Sequence, residues 1–270
     1  CVFTENMAAG ILVSRSGTQA VLRDSTISWT FGGFNETGMT AVGLSVQTGA
    51  SVAASGLLAQ DNDGPGLYSV SVGSNLSCAD CTLRSNRFAG AVATAGGALE
   101  IEGSEIADTL QSDNLGGGVG VFAAQQWDDD PPSLVVRDSS IVDNLVAGAW
   151  LAGAGSYELA GNRISSSASI PHGSTDRCGD GVYAAGTAAW DGSEGLLLEG
   201  NALSDNQGGG LFLDNAHAQL SSNSWTDNDP DLWVQGAACL SPPDDWAEAP
   251  EAEICPEWNR PVCDLEFVLN

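Results

Sequence analysis

The stretch Ala20-Val-Leu-Arg-Asp-Ser-Thr-Ile27 returns as Leu134-Val-Val-Arg-Asp-Ser-Ser-Ile141, and further copies lie between and beyond. They are Leu76-Ser-Cys-Ala-Asp-Cys-Thr-Leu83, Leu99-Glu-Ile-Glu-Gly-Ser-Glu-Ile106, Tyr157-Glu-Leu-Ala-Gly-Asn-Arg-Ile164, Leu196-Leu-Leu-Glu-Gly-Asn-Ala-Leu203 and Ala218-Gln-Leu-Ser-Ser-Asn-Ser-Trp225. Each reads apolar, any, apolar, two corner residues, a small polar residue, any, apolar. A recurrence of roughly 28 residues marks a repeat architecture. The repeat also assigns most of the apolar residues to scaffold.

Two further parts complete the unit. An Asn follows three residues after the last apolar position, at Asn86, Asn144, Asn206 and Asn228, and by the same pattern at Asn6 and Asn62. A Gly then opens a second alternating run, as in Gly118-Val-Gly-Val-Phe, Gly148-Ala-Trp-Leu and Gly210-Leu-Phe-Leu. Each unit thus holds three short period-2 strands between Gly, Asn, Asp and Ser corners. No stretch keeps a helical period with caps at both ends. Three strands per turn without helices predict a parallel β-solenoid, with coils about 4.8 Å apart and alternate side chains filling a narrow interior. Asn162, Asn201 and Asn223 sit three residues after Leu159, Leu198 and Leu220. This register predicts an internal ladder of amides, since a buried amide without partners is costly.

The unit Cys81-Thr-Leu-Arg-Ser-Asn-Arg-Phe-Ala-Gly90 resembles the right-handed parallel β-helix repeat of the pectate-lyase-like superfamily. Phe3-Thr-Glu-Asn6 and Gly96-Gly-Ala-Leu99 are similar to the FxxN and GGA(I/L/V) repeats of bacterial polymorphic outer-membrane and adhesin-type proteins. The resemblance implies an all-β, right-handed parallel β-helix of about nine coils over residues 1–236. Cys1 to Gly10 aligns with Cys81 to Gly90, so the sequence is expected to start in mid-coil, with further coils ahead of Cys1. Residues 237–270, rich in Pro, Asp, Glu and Trp, are expected to cap the last coil, because a solenoid end exposes strand edges and core side chains.

A net charge of −27, with eight Arg and no Lys, argues against nucleic acid and anionic membrane surfaces, which require a basic footprint. No apolar run reaches the 18 residues of a membrane-spanning helix. A neutral glycan or a protein surface is the partner class left open. Seven Cys point to an oxidising compartment, outside the cell or on its outer surface. Cys78 and Cys81 suit a local disulfide or a pair of buried thiols more than a redox or zinc site, since no second C-x-x-C and no nearby His completes a ligand set. Cys239, Cys255 and Cys263 suit a staple in the cap.

Insertions are where a solenoid departs from its rule and where function concentrates. Two leave one corner and carry Trp-Asp at the tip: Trp127-Asp128-Asp129-Asp130 and Trp190-Asp191. Another corner carries 30–40, 108–117 and 166–180. The Trp-Asp ridge suits stacking on a sugar ring or Ca²⁺ held by hard oxygen ligands. The competing reading is that each Trp covers its own loop while the acids are solvated. No cofactor is otherwise implied. Hydrolases of the resembled superfamily carry converging carboxylates with a His-Gly and an R-x-K. Here His172-Gly173 lies in an insertion, R-x-K is impossible without Lys, and His217 stands apart. The expected function is therefore a non-catalytic structural or adhesive segment of a larger secreted or cell-surface bacterial protein. The alternative is a carbohydrate-active enzyme, lyase-like or hydrolase-like, or its inactive remnant.

Overall fold

Alternation decides which side chains turn inward. In Ser133–Arg137, Leu134 and Val136 are buried while their neighbours reach the surface, and Ser156–Ala160 repeats this with Tyr157 and Leu159. Such a strand cannot bury its apolar face alone, so it stacks on its equivalent one coil away. The computed structural model describes residues 1–32, 41–112, 117–125, 129–168, 179–187 and 195–235, with the strands Cys239–Ser241 and Ala252–Ile254. Among these residues, three wholly parallel sheets hold nine, ten and nine strands. Sheet 1 runs from Val2–Thr4 to Ser224–Thr226, sheet 2 from Ala9–Ser14 to Ala252–Ile254, and sheet 3 from Gln19–Arg23 to Cys239–Ser241. This is the parallel β-helix of nine three-stranded coils that the repeat predicts. Register is kept throughout: Leu99 pairs with Leu134, Leu134 with Tyr157, and Tyr157 with Leu196.

The interior is a bundle of such columns. Sheet 1 contributes Ile106, Ile141, Ile164 and Leu203, all buried. Sheet 3 faces them with Ile101, Val136, Leu159 and Leu198. Each such side chain contributes about 1.5–3 kcal/mol on burial. Coil length varies widely, from 22 residues between Asn201 and Asn223 to 39 between Asn162 and Asn201. Most of the difference lies in the connections: the sheet 1 and sheet 3 strands of the two coils are equal in length, and the sheet 2 strands differ by two residues.

Two corner types hold the coils in step. Between sheets 3 and 1 the chain turns through one residue of positive φ, such as Asp138 (φ 49) or Gly161 (φ 65). Between sheets 1 and 2 a second such residue, for example Asp143 or Asp205, precedes the buried Asn144 or Asn206. Past residue 236, Cys239–Ser241 pairs with His217–Gln219, and Ala252–Ile254 pairs with the start of Leu232–Gln235. Two sheets therefore continue into the expected capping segment, whose other residues, Cys255 and Cys263 included, lie outside those described.

Candidate functional site

The two Trp-Asp loops spring from sheet 2, one after Ala124 and one after Ala185. These residues share a column, joined through Ala152 of the coil between them. Two coil steps separate the roots by about 10 Å. Trp127, Asp128, Trp190 and Asp191 lie outside the described residues. Asp129 and Asp130 are described and exposed. The base of the first loop is clamped by Gln125, whose Nε2 donates to the Asp129 carbonyl at 2.8 Å while its Oε1 accepts from the Ala154 amide at 3.1 Å. Asp129 also acts at a distance on Tyr68. Burial raises the phenol's pKa, a hydrogen bond from Thr94 lowers it, and the Asp129 charge adds to the rise. Tyr68 therefore stays protonated above the ordinary tyrosine range.

Over its middle strands, Ala89–Thr94, Val119–Ala124 and Ala147–Ala152, sheet 2 differs from the other two in burying both faces. Phe122, Trp150, Tyr183, Phe212 and Trp233 occupy one outward column, and the first four are 1–6% exposed. Their rings pack along the solenoid: Trp150 and Tyr183 centroids are 4.1 Å apart, and Tyr183 and Phe212 stack at 5.1 Å. These are separations at which ring pairs attract beyond their area burial. The signal for this column is present in the sequence. Each ring falls two residues after Gly120, Gly148, Gly181, Gly210 or Asp231.

The amides form two hydrogen-bonded columns. At the corner between sheets 3 and 1, Asn162 Nδ2 donates to Asn201 Oδ1 (3.1 Å) and Asn201 Nδ2 donates to Asn223 Oδ1 (3.0 Å). Serines carry the column onward, with the Ser139 amide donating to Asn162 Oδ1 and the Ser104 amide to Ser139 Oγ. Cys81 continues it, its amide donating to Ser104 Oγ, and its sulfur is bonded to Cys78 in a buried disulfide. A second column at the corner between sheets 1 and 2 joins Asn62 to Asn86 (2.8 Å) and Asn206 to Asn228 (2.9 Å). The regular Asn offset marks these positions, but only the stacked geometry turns them into a second ladder.

The remaining chemistry-bearing groups are dispersed. Arg137 grips Glu158 with two hydrogen bonds (2.7 and 3.0 Å) and reaches Glu100 at 3.0 Å. Arg84 meets Asp108 at 2.7 Å and Arg87 meets Asp63 at 3.7 Å. Asp180 is buried and accepts the Gly209 amide. His217 opens a sheet 3 strand, and His172 lies outside the described residues. Among the described residues no group of three or more His, Cys, Asp or Glu could hold a metal ion, and no helix is long and apolar enough to cross a membrane.

Three parallel sheets with side-chain ladders at two corners define a β-solenoid. The model of the right-handed β-helix region matches residues 1–168, more than half of the 270 residues. The chain belongs to the right-handed β-helix family. No curated protein matches it.

Proposed function

We propose that this chain is a non-catalytic structural or adhesive segment of a larger secreted or cell-surface bacterial protein. The observation that carries the reading is the outward column of sheet 2. A β-helix that works on a polymer needs reacting groups on an accessible sheet face. Here the broadest sheet devotes outward positions to rings, buried from Phe122 to Phe212 and packed on one another from Trp150 to Phe212. Continuous ladders and unbroken register suit a stiff spacer, since each coil is fixed only by its neighbours. The buried Cys78–Cys81 disulfide suits an oxidising location, and the −27 charge suits a soluble surface.

The competing reading is a carbohydrate-active enzyme, or its inactive remnant, that uses the Trp-Asp loops with or without Ca²⁺. It draws on the shared column of Ala124 and Ala185. Incubation with polygalacturonate, alginate and xylan, with and without Ca²⁺, separates the two. The expected result is no new reducing ends and no unsaturated product. Turnover that disappears in an Asp129→Asn, Asp130→Asn variant would replace the scaffold reading with the enzyme one.

A further inference from the structure

We propose that Trp29 and Phe31, on the corner between sheets 1 and 2, form a binding site for a quaternary ammonium group. The site lies at a corner rather than on the outer face of a sheet. It goes beyond the scaffold reading above and does not depend on it.

Neither backbone preference nor burial accounts for Trp29. It follows the strand Thr26–Ser28 and has a φ of 55°. Strand pairing aligns this position with Glu5 in the coil before and Asp61 in the coil after. In later coils the equivalent residue is Asp or Ser, as at Ser85, Asp108 and Asp143, again with positive φ. Asp tolerates the left-handed conformation, whereas for a bulky side chain it is an outlier. Packing does not offset that strain. Trp29 is 48% exposed although the strand before it is paired on both sides. A strained residue that gains nothing from burial is a pointer to function.

Phe31 supplies a second ring, 43% exposed. The two ring centroids lie 6.4 Å apart with their planes at 42°, so one cation can lie within about 6 Å of both. The pair is held from beneath. Thr30, between them, is buried, and its amide donates to Asn62 Oδ1 at 3.2 Å. The Phe31 amide donates to the Asn6 carbonyl at 2.8 Å. Rings on so fixed a backbone need little ordering when a ligand arrives.

Charge selects the ligand. Glu5 and Asp61 flank Trp29, each one coil step of about 4.8 Å away along the backbone. Neither joins an ion pair among the described residues, whereas Asp63 has Arg87 at 3.7 Å. These acids are too dispersed to form a metal-binding group. Ring faces are themselves negative, so the corner complements a diffuse organic cation. A primary ammonium or a guanidinium would pair with one carboxylate alone, and such exposed pairs are weak. A quaternary ammonium has no N–H to donate, and ring faces with nearby carboxylates are what it can use. An anion is opposed by the −27 charge.

Saturation-transfer NMR on the N-methyl protons of choline, added to the full chain, tests the site. Choline should bind saturably, with a Kd on the order of millimolar. 3,3-Dimethylbutanol, the uncharged isostere with carbon in place of nitrogen, should bind at least about tenfold more weakly. Trp29→Gly should abolish binding while keeping the urea midpoint, because Gly adopts positive φ freely. If that chain does not fold, Glu5→Gln with Asp61→Asn removes charge without touching the rings and should lower affinity by about tenfold. Competition by phosphatidylcholine vesicles would assign the site to a lipid headgroup, and its absence to a free quaternary ammonium. The site is overturned if choline shows no saturable transfer, if the neutral isostere binds equally well, or if binding survives these substitutions.

Discussion

Asp24, Asp80 and Asp138 alternate with Gly56, Gly103 and Gly161 along one corner of the solenoid, every one with positive φ. Asp and Gly both tolerate this conformation, so backbone preference alone does not explain the alternation. Space does. A Cβ on Gly161 would lie 2.5 Å from Asp138 Oδ1, and one on Gly56 would lie 2.7 Å from Asp24 Oδ1. The carboxylate of one coil occupies the side-chain position of the next, so Asp is followed by Gly. Gly161→Ala should cost about 1–3 kcal/mol, combining left-handed strain with the clash. In an Asp138→Gly background the clash is absent, and the same substitution should cost measurably less. Urea unfolding of the four chains in this cycle gives the coupling directly. An equal cost in both backgrounds would leave strain as the whole cause and remove the steric account of the alternation.

At the scale of elements, the ladders and the sheets were legible to different degrees. The positions of Asn162, Asn201 and Asn223 relative to Leu159, Leu198 and Leu220 are visible in the chain, because corner and strand recur together. Breaks in the second ladder show at the same offset, since Thr30, Thr109 and Ser167 follow Ile27, Ile106 and Ile164 by three residues; the burial of their hydroxyls does not. Thr30, Thr109 and Ser167 stand where Asn stands in other coils, and their buried hydroxyls have no partner among the described residues. Their amides still donate to Asn62, Asn144 and Asn206 of the next coil. Each break precedes a long connection to sheet 2, from Ser28 to Val42, Ala107 to Val119 and Ser165 to Asp180. The ladder amide thus accompanies the short corner, where the chain must turn at once. The two-faced burial of sheet 2 was hidden for another reason. Period-2 reading assumes one wet face, whereas Ala89–Thr94 and Val119–Ala124 are buried at every position. Asn201 sits mid-ladder, joined to Asn162, Asn223 and the Leu159 carbonyl. Asn201→Leu should therefore lower the unfolding free energy by about 1–3 kcal/mol, through the partners it leaves unsatisfied. A change within error in denaturant unfolding would mean that the ladder is ornament on an apolar core.

The whole molecule behaves as a stack in which each coil shields the next, so a coil is weakest where no neighbour covers it. His217–Ser221 and Leu232–Gln235 would present open edges without the strands Cys239–Ser241 and Ala252–Ile254. Those two strands lie beyond the last sequence repeat, and no recurring phrase announces them. They join the sheets through backbone pairing, which tolerates almost any side chain, so the repeat boundary at residue 236 and the extent of pairing differ. A cap acts by occupying unpaired N–H and C=O groups that would otherwise recruit a second chain. A chain truncated after Gly236 should accordingly unfold at lower denaturant and self-associate through the exposed edges of sheets 2 and 3, as read by sedimentation velocity and urea titration. Charge works against that association, since a net −27 keeps copies apart at low ionic strength. Added salt screens it, so the truncated chain should associate more strongly as salt rises while the full chain stays monodisperse. A truncated chain that is monomeric at every salt concentration and as stable as its parent would show that sheet pairing past residue 236 protects nothing, and the capping role of 237–270 would fall with it.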